Sequence, residues 1–241
     1  MNRKKLIMFF AAAAVLTAAV VIGLKFRGNH RQIVDYEGEN PLENVYITQL
    51  YFDDLLTEER NMYAKYEAES NYILKIRCTK KAKFDYQSCL EYGEVVKVFK
   101  DNGDITVGDN IVMDRSGYHL FTKEGGVTPD IDSANTGFVN LMKKDKEYLV
   151  FIEDKITTEL YAHDIYTIDG WTIAPIFCYE DMDNVIVDNG AEYAAEYKLV
   201  KDNEGFFDTE DIEQSYYKFK HRILRLVDEE YNSDDKEKGD K

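Results

Sequence analysis

The chain has 241 residues, with 30 Lys plus Arg against 46 Asp plus Glu, 44% apolar residues, 14 Gly, 3 Pro and 3 Cys, and a formal charge of −16. That length buries a substantial core, while the scarcity of Pro and Gly excludes a collagen-like or low-complexity chain and three cysteines cannot staple a disulfide scaffold. The charge is unevenly placed: residues 1–31 hold Arg3, Lys4, Lys5, Lys25, Arg27 and Arg31 and no acid, which leaves 24 basic against 46 acidic residues, or −22, from Gln32 onward.

Residues 1–5 form a short basic tail. From Leu6 to Leu24 no residue is charged, and Thr17 and Gly23 are the only interruptions. Nineteen residues rising about 1.5 Å each span roughly 28 Å, close to a hydrocarbon core of about 30 Å. The expectation is an uncleaved signal anchor over residues 6–24. Basic residues flank it on both sides, but the compact Arg3-Lys4-Lys5 cluster beside the amino terminus favours a cytoplasmic tail and an extracytoplasmic remainder. The alternative is a secreted protein cut near Gly23. No cysteine directly follows the run, so lipoprotein attachment is absent.

Residues 25–45 carry Gly28, Gly38, Pro41 and charges without apolar periodicity, as a tether does. Residues 46–231 read as one folded domain. Phe52, Leu55, Leu56, Met62, Tyr63 and Tyr66 fall near one helical face. The period then changes to two, with Tyr72, Leu74, Ile76 and Cys78 alternating with Ile73, Lys75, Arg77 and Thr79. Strand character recurs in Leu90–Phe99, Ile105–Met113, Tyr118–Phe121, Tyr148–Ile152, Leu160–Ile168 and Trp171–Cys178. Turn signals at 101–104, 108–110, 125–126 and 169–170 separate these runs. Ala191–Val200 suits a helix or a strand. Ile212, Tyr216, Phe219, Ile223, Leu226 and Val227 make a closing amphipathic helix. Residues 232–241 read as a disordered acidic tail.

The strands Asn71–Arg77, Glu94–Lys100, Ile105–Val112 and Leu141–Phe151, with Lys97-Val98-Phe99-Lys100 and Lys146-Glu147-Tyr148-Leu149 within them, resemble the OB-like barrels of exported or lipid-anchored Gram-positive bacterial proteins, and more distantly netrin-like modules. The similarity covers residues 70–178. It implies an α+β, mainly β fold: a closed five-stranded antiparallel barrel with flanking helices behind the anchor. It also implies a binding role with no inherited active-site residues.

Candidate chemistry is sparse. Cys78 and Cys89, on strands joined by a turn near residues 80–86, could form a disulfide outside the cell, leaving Cys178 unpaired. Free buried cysteines are the competing reading. No C-x-x-C occurs, and His30, His119, His163 and His221 show no metal-ligand spacing. Asp130-Ile131-Asp132 and Glu180-Asp181-Met182-Asp183-Asn184 are the acidic clusters, and Val185 and Ile186 break an EF-hand order. No G-x-S-x-G elbow or glycine-rich phosphate loop is present. The reading is therefore no catalytic set, no cofactor and no metal. The partners expected are a bilayer through residues 6–24 and an envelope protein or glycan, with nucleic acid excluded by the −22 charge. The alternative function is an extracytoplasmic hydrolase or thiol enzyme using Cys178 and His163, with Asp164 beside it.

Overall fold

The computed structural model describes residues 15–22, 46–50, 59–85, 88–115, 119–122, 131–135, 137–157, 163–168, 173–187 and 192–238. The tail 1–5, the tether 25–45 and the expected helical residues Phe52, Leu55 and Leu56 lie outside them. Residues 15–22 are helical and exposed throughout. Among the described residues no helix is long and apolar enough to cross a membrane.

The fold is α+β with more sheet than helix. Its strands are β1 (Tyr46–Leu50), β2 (Tyr72–Asp85), β3 (Ser88–Lys100), β4 (Asn110–Arg115), β5 (His119–Thr122), β6 (Ile131–Asn135), β7 (Glu147–Ile152), β8 (Asp154–Ile156), β9 (Ile165–Ile168), β10 (Ile176–Cys178) and β11 (Glu192–Glu196). Its helices are α1 (Glu59–Glu69), α2 (Tyr197–Val200) and α3 (Glu210–Lys238). The main sheet runs β10-β7-β2-β3-β4-β9-β8, and a four-stranded sheet runs β11-β1-β6-β5.

This corrects the expected antiparallel barrel. β4 pairs β9 in parallel and β1 pairs β6 in parallel, and the main sheet is an open order of seven strands with β10 and β8 at its margins. It nevertheless curls. β7 pairs β2, β8 pairs β9, and only Glu153 separates β7 from β8. The Glu153 amide donates to Thr167 O at 2.9 Å, so one continuous run passes from one side of the sheet to the other. The register shifts along β2 supply the bend, since each inserted residue increases local twist.

The core explains where alternation holds and where it fails. On β2, Leu74, Ile76 and Cys78 are buried while Arg77 is exposed, as expected, but Ile73 is also buried. On β7, Tyr148 to Ile152 are all buried. A strand buried on both faces is covered on both. One cover is the sheet's own curl. The other comprises α1 and α3: the Tyr66 ring lies 5.6 Å from that of Phe151, and Phe219 lies 5.8 Å from Phe177. Tyr63 of α1 donates to Glu230 of α3, joining the two helices directly.

Three local expectations change. The strand foreseen from Ile105 begins at Asn110, because Asp101 Oδ2 accepts from the amide of Gly103 at 2.8 Å and Asp109 Oδ2 from that of Thr106 at 2.8 Å, closing two turns first. Gly103 and Gly108 hold φ of 82° and 96° there, which non-glycine residues rarely adopt. Residues 131 and 132, read as an acidic loop, lie in β6. Residues 232–238, read as disordered, continue α3. The ambiguous stretch 191–200 is both, strand β11 followed by helix α2.

Gly93 leaves no room for a side chain: a Cβ there would meet Ile76 Cδ1 at 2.8 Å and Ile76 Cβ at 3.1 Å. Gly93→Ala is expected to destabilise the fold by about 1–3 kcal/mol in urea unfolding, as overpacked cores do. Ile76→Val in the same chain removes the Cδ1 contact and should recover part of that loss.

Candidate functional site

The cysteines do not form the expected pair. The β2–β3 register sets Cys78 opposite Gly93 and Cys89 opposite Phe84, and all three cysteines are free and buried. For Cys78 to face Cys89 the turn would centre between residues 83 and 84, but the strands close at Asp85 and Ser88. The six residues from Cys78 to Phe84 rise on the order of 20 Å, far beyond disulfide reach. Burial pushes the Cys78 thiol up to about 12 and also raises Cys89 and Cys178. None is an activated thiolate.

Cys178 and His163 are not brought together either. Cys178 pairs Tyr148, whereas Ile165, two residues after His163, pairs Ile156. Eight residues along the β7–β8 run separate those levels, on the order of 25 Å. His163 is exposed, and Asp164 accepts from Thr157 Oγ1 at 2.8 Å instead. His30 and Asp130 lie outside the described residues, and His119 lies in β5. Among the described residues no group of three or more His, Cys, Asp or Glu could hold a metal ion. The acidic loop 180–184 is paired to protein partners at the surface: Glu180 binds Lys146, Asp181 binds Lys220 and His221, and Asn184 bonds Glu213 and Tyr217.

What the sequence reading missed is a buried charged network between the sheet and α3. Lys220, fully buried on α3, donates to Glu204 Oε2 at 2.7 Å, Glu204 Oε1 at 3.0 Å, Asp181 Oδ1 at 2.8 Å and Glu180 O at 3.1 Å. Its ammonium also lies 4.5 Å from the Tyr217 ring centre. Glu204 is 3% exposed and accepts from Tyr216 Oη at 3.3 Å. Burial pushes the Glu204 carboxyl up while Lys220 pulls it down, with a net rise. Partial burial would raise Asp181, but hydrogen bonds from Lys220 and His221 hold it below the usual carboxylate range.

A second buried pair, Glu91 and Arg115, sits on β3 and β4 with Nη1 3.7 Å from Oε2. Arg115 donates to Asn140 O at 2.9 Å and to Val139 O, while Glu91 Oε1 accepts from the Met142 amide at 2.7 Å. Asn140 donates to Val200 O at 3.1 Å and to Asn203 O at 2.9 Å, adding to the Asn203 amide that also donates to Val200 O at the end of α2. The Asn140 backbone amide donates to Glu204 O at 2.8 Å, so segment 138–142 links the two networks. Burial raises the Glu91 carboxyl. Beside it, desolvation pulls the half-buried Lys143 ammonium down to about 8, and Lys143 donates to Lys201 O.

Lys220, Glu204, Glu91 and Arg115 are enclosed, so chemically they orient backbone and helix instead of meeting a substrate. The exposed chemistry is on the outer face of β2 and β3. There Lys75 and Arg77 share Glu147 at 2.7 and 2.8 Å, Lys80 lies 3.7 Å over the Tyr92 ring, and Lys97 lies 4.7 Å over Phe99. Such cation–ring pairs make a basic, aromatic strip suited to contact with a partner surface.

No protein-family model matches the chain, and no curated protein matches it at a significant level.

Lys220→Met should cost about 3–5 kcal/mol at pH 7, because it strands Glu204 without its cation. Its carboxyl then rises further, so the folded chain holds a proton that the unfolded chain releases near about 4.3. The variant's stability therefore falls as pH climbs from 5 to 7, which urea titrations at both values will show. Replacing the pair together, Lys220→Met with Glu204→Leu, should lose much less. For Lys143, ¹³C-methylated protein followed by NMR should show one lysine titrating near pH 8, well below the exposed lysines.

Proposed function

We propose that the protein is a non-enzymatic binding module at a bacterial cell envelope, held to the membrane by residues 6–24 with its folded domain on the extracytoplasmic side. The observation that carries this reading is the helical segment 15–22. Its Val15, Leu16, Val20, Val21 and Ile22 are 52–70% exposed. Each such side chain gains about 1.5–3 kcal/mol on leaving water, and a bilayer is the cover that an uncharged run of this length fits.

The OB-like reading of the domain rests on three features of its pairing. β2, β3 and β4 form an antiparallel meander, β4 continues into a parallel pair with β9, and the β7–β8 run returns from β9 to β2. Binding is favoured over catalysis because the thiols are buried and protonated, and Cys178 stands far from His163. The partner class is an envelope protein or glycan, met through the part of the β2 and β3 face away from the hairpin tip, with Lys75, Arg77, Lys97 and Phe99.

Membranes of the native host washed with alkaline carbonate test the anchor, and intact mass tests cleavage. The expected outcome is protein retained in the membrane pellet at its uncut 28.0 kDa. Release into the wash, or a mass lacking the residues up to Gly23, would overturn the anchored reading.

A further inference from the structure

The acidic domain carries a local excess of positive charge on the β2–β3 hairpin. Residues 72–100, the β2–β3 hairpin, hold Lys75, Arg77, Lys80, Lys81, Lys83, Lys97 and Lys100 against Asp85, Glu91 and Glu94, a balance of +4. The remainder from Gln32 onward holds 17 basic and 43 acidic residues, or −26. Most other cations of the hairpin are partnered: Lys75 and Arg77 share Glu147, and Lys100 lies 3.6 Å from Glu67. Lys80, Lys81 and Lys83, toward the hairpin tip, form no ion pair with any carboxylate of the described residues, and Lys80 and Lys81 are exposed.

The position of that tip gives the charge a direction. Ala82 and Cys89 belong to a small apolar cluster with Ile47, Leu141, Ala195, Tyr197, Val200 and Phe206, separate from the main core. Ile47, fully buried, is the second residue of β1, the first described element after the tether. The hairpin tip and the point where the chain enters the domain are therefore packed against each other. Residues 25–45 read from the sequence as a tether, and an irregular chain of 21 residues has a root-mean-square span of about 25 Å, so the end it enters is the end nearest the anchor.

We propose that the tip of the β2–β3 hairpin, through Lys80, Lys81 and Lys83, rests on the anionic headgroups of the bilayer that holds the anchor. The inference depends on the anchored reading above and adds an orientation to it. An anionic surface repels the −26 remainder taken as a whole and attracts this end; the other basic stretch, Lys218 to Arg225 on α3, is not part of the cluster that holds the point of chain entry. The tip sits against the lipid, and the opposite end of the domain, with Tyr72, Tyr166 and the 101–109 turns, faces outward. Each lysine held near an anionic surface strengthens contact about fivefold, so three together contribute on the order of 100-fold. The attraction weakens as salt shortens the Debye length.

The full chain reconstituted in vesicles of phosphatidylcholine, alone or mixed with phosphatidylglycerol, tests this through amine-reactive labelling read by peptide mass. Wild-type protein suffices, so no variant has to fold. Labelling of Lys80, Lys81 and Lys83, referenced to exposed Lys65 on α1, should fall at least fivefold in the mixed vesicles. It should recover in about 1 M salt, where the Debye length is about 3 Å. Equal labelling in both vesicle types, with protein retained through a carbonate wash, overturns the orientation and leaves the anchor standing. Protein washed off the vesicles overturns the anchor, and this inference with it.

Discussion

The fold depends on strand β7 having no exposed face. Leu149, Val150, Phe151 and Ile152 are at most 1% exposed, so the strand needs cover on two sides and partners on two edges. β2 and β10 pair its edges, α1 and α3 lie over one face, and the curled sheet closes over the other. Its continuation past Glu153 into β8 ties the β9 side of the sheet to the β2 side, which forces the curl. Each neighbouring element is thus positioned by the same six residues. The helices at the two ends of the domain meet each other, Tyr63 to Glu230, because both must cover this strand.

Apolar burial places α3, but it does not choose the rotation of α3 or the path of the loops beneath it. The charged networks do. Lys220 accepts one geometry only, with Glu204, Asp181 and the Glu180 carbonyl around it. A buried ion pair adds little net stability over an apolar replacement, yet it penalises every arrangement that separates its members. Asn140 plays the same part for segment 200–203, its side-chain amide donating to the carbonyls of Val200, Lys201 and Asn203. The interior is specified by polar groups, while the surface that remains for function is set by where the unpaired charge falls.

Much of the scaffold was readable from periodicity. The closing helix was legible because Tyr216, Phe219, Ile223 and Val227 recur at helical spacing, and all are buried. β2 and β3 were legible from alternation. The double-sided burial of β7 was not, since a run of apolar residues does not say which elements cover it. The networks left faint signals. Lys220 falls within the apolar face of α3, between Phe219 and Ile223, and Glu91 falls in the inward register of Cys89, Gly93 and Val95. Glu204, in a loop, left none. The disulfide expectation failed by the position of one turn, and the −22 total concealed the local +4 of the hairpin, which the chain order of the lysines shows once counted by element.

In the proposed topology residues 6–24 lie in lipid with the amino terminus inside and the acidic domain outside. Labelling of single introduced cysteines in intact cells of the native host with a membrane-impermeant maleimide tests it most directly, because Cys78, Cys89 and Cys178 are buried and contribute little background. Asn102→Cys, in an exposed turn, should label in intact cells, and Asn2→Cys only after permeabilisation. Labelling of both sites only after permeabilisation would contradict the account.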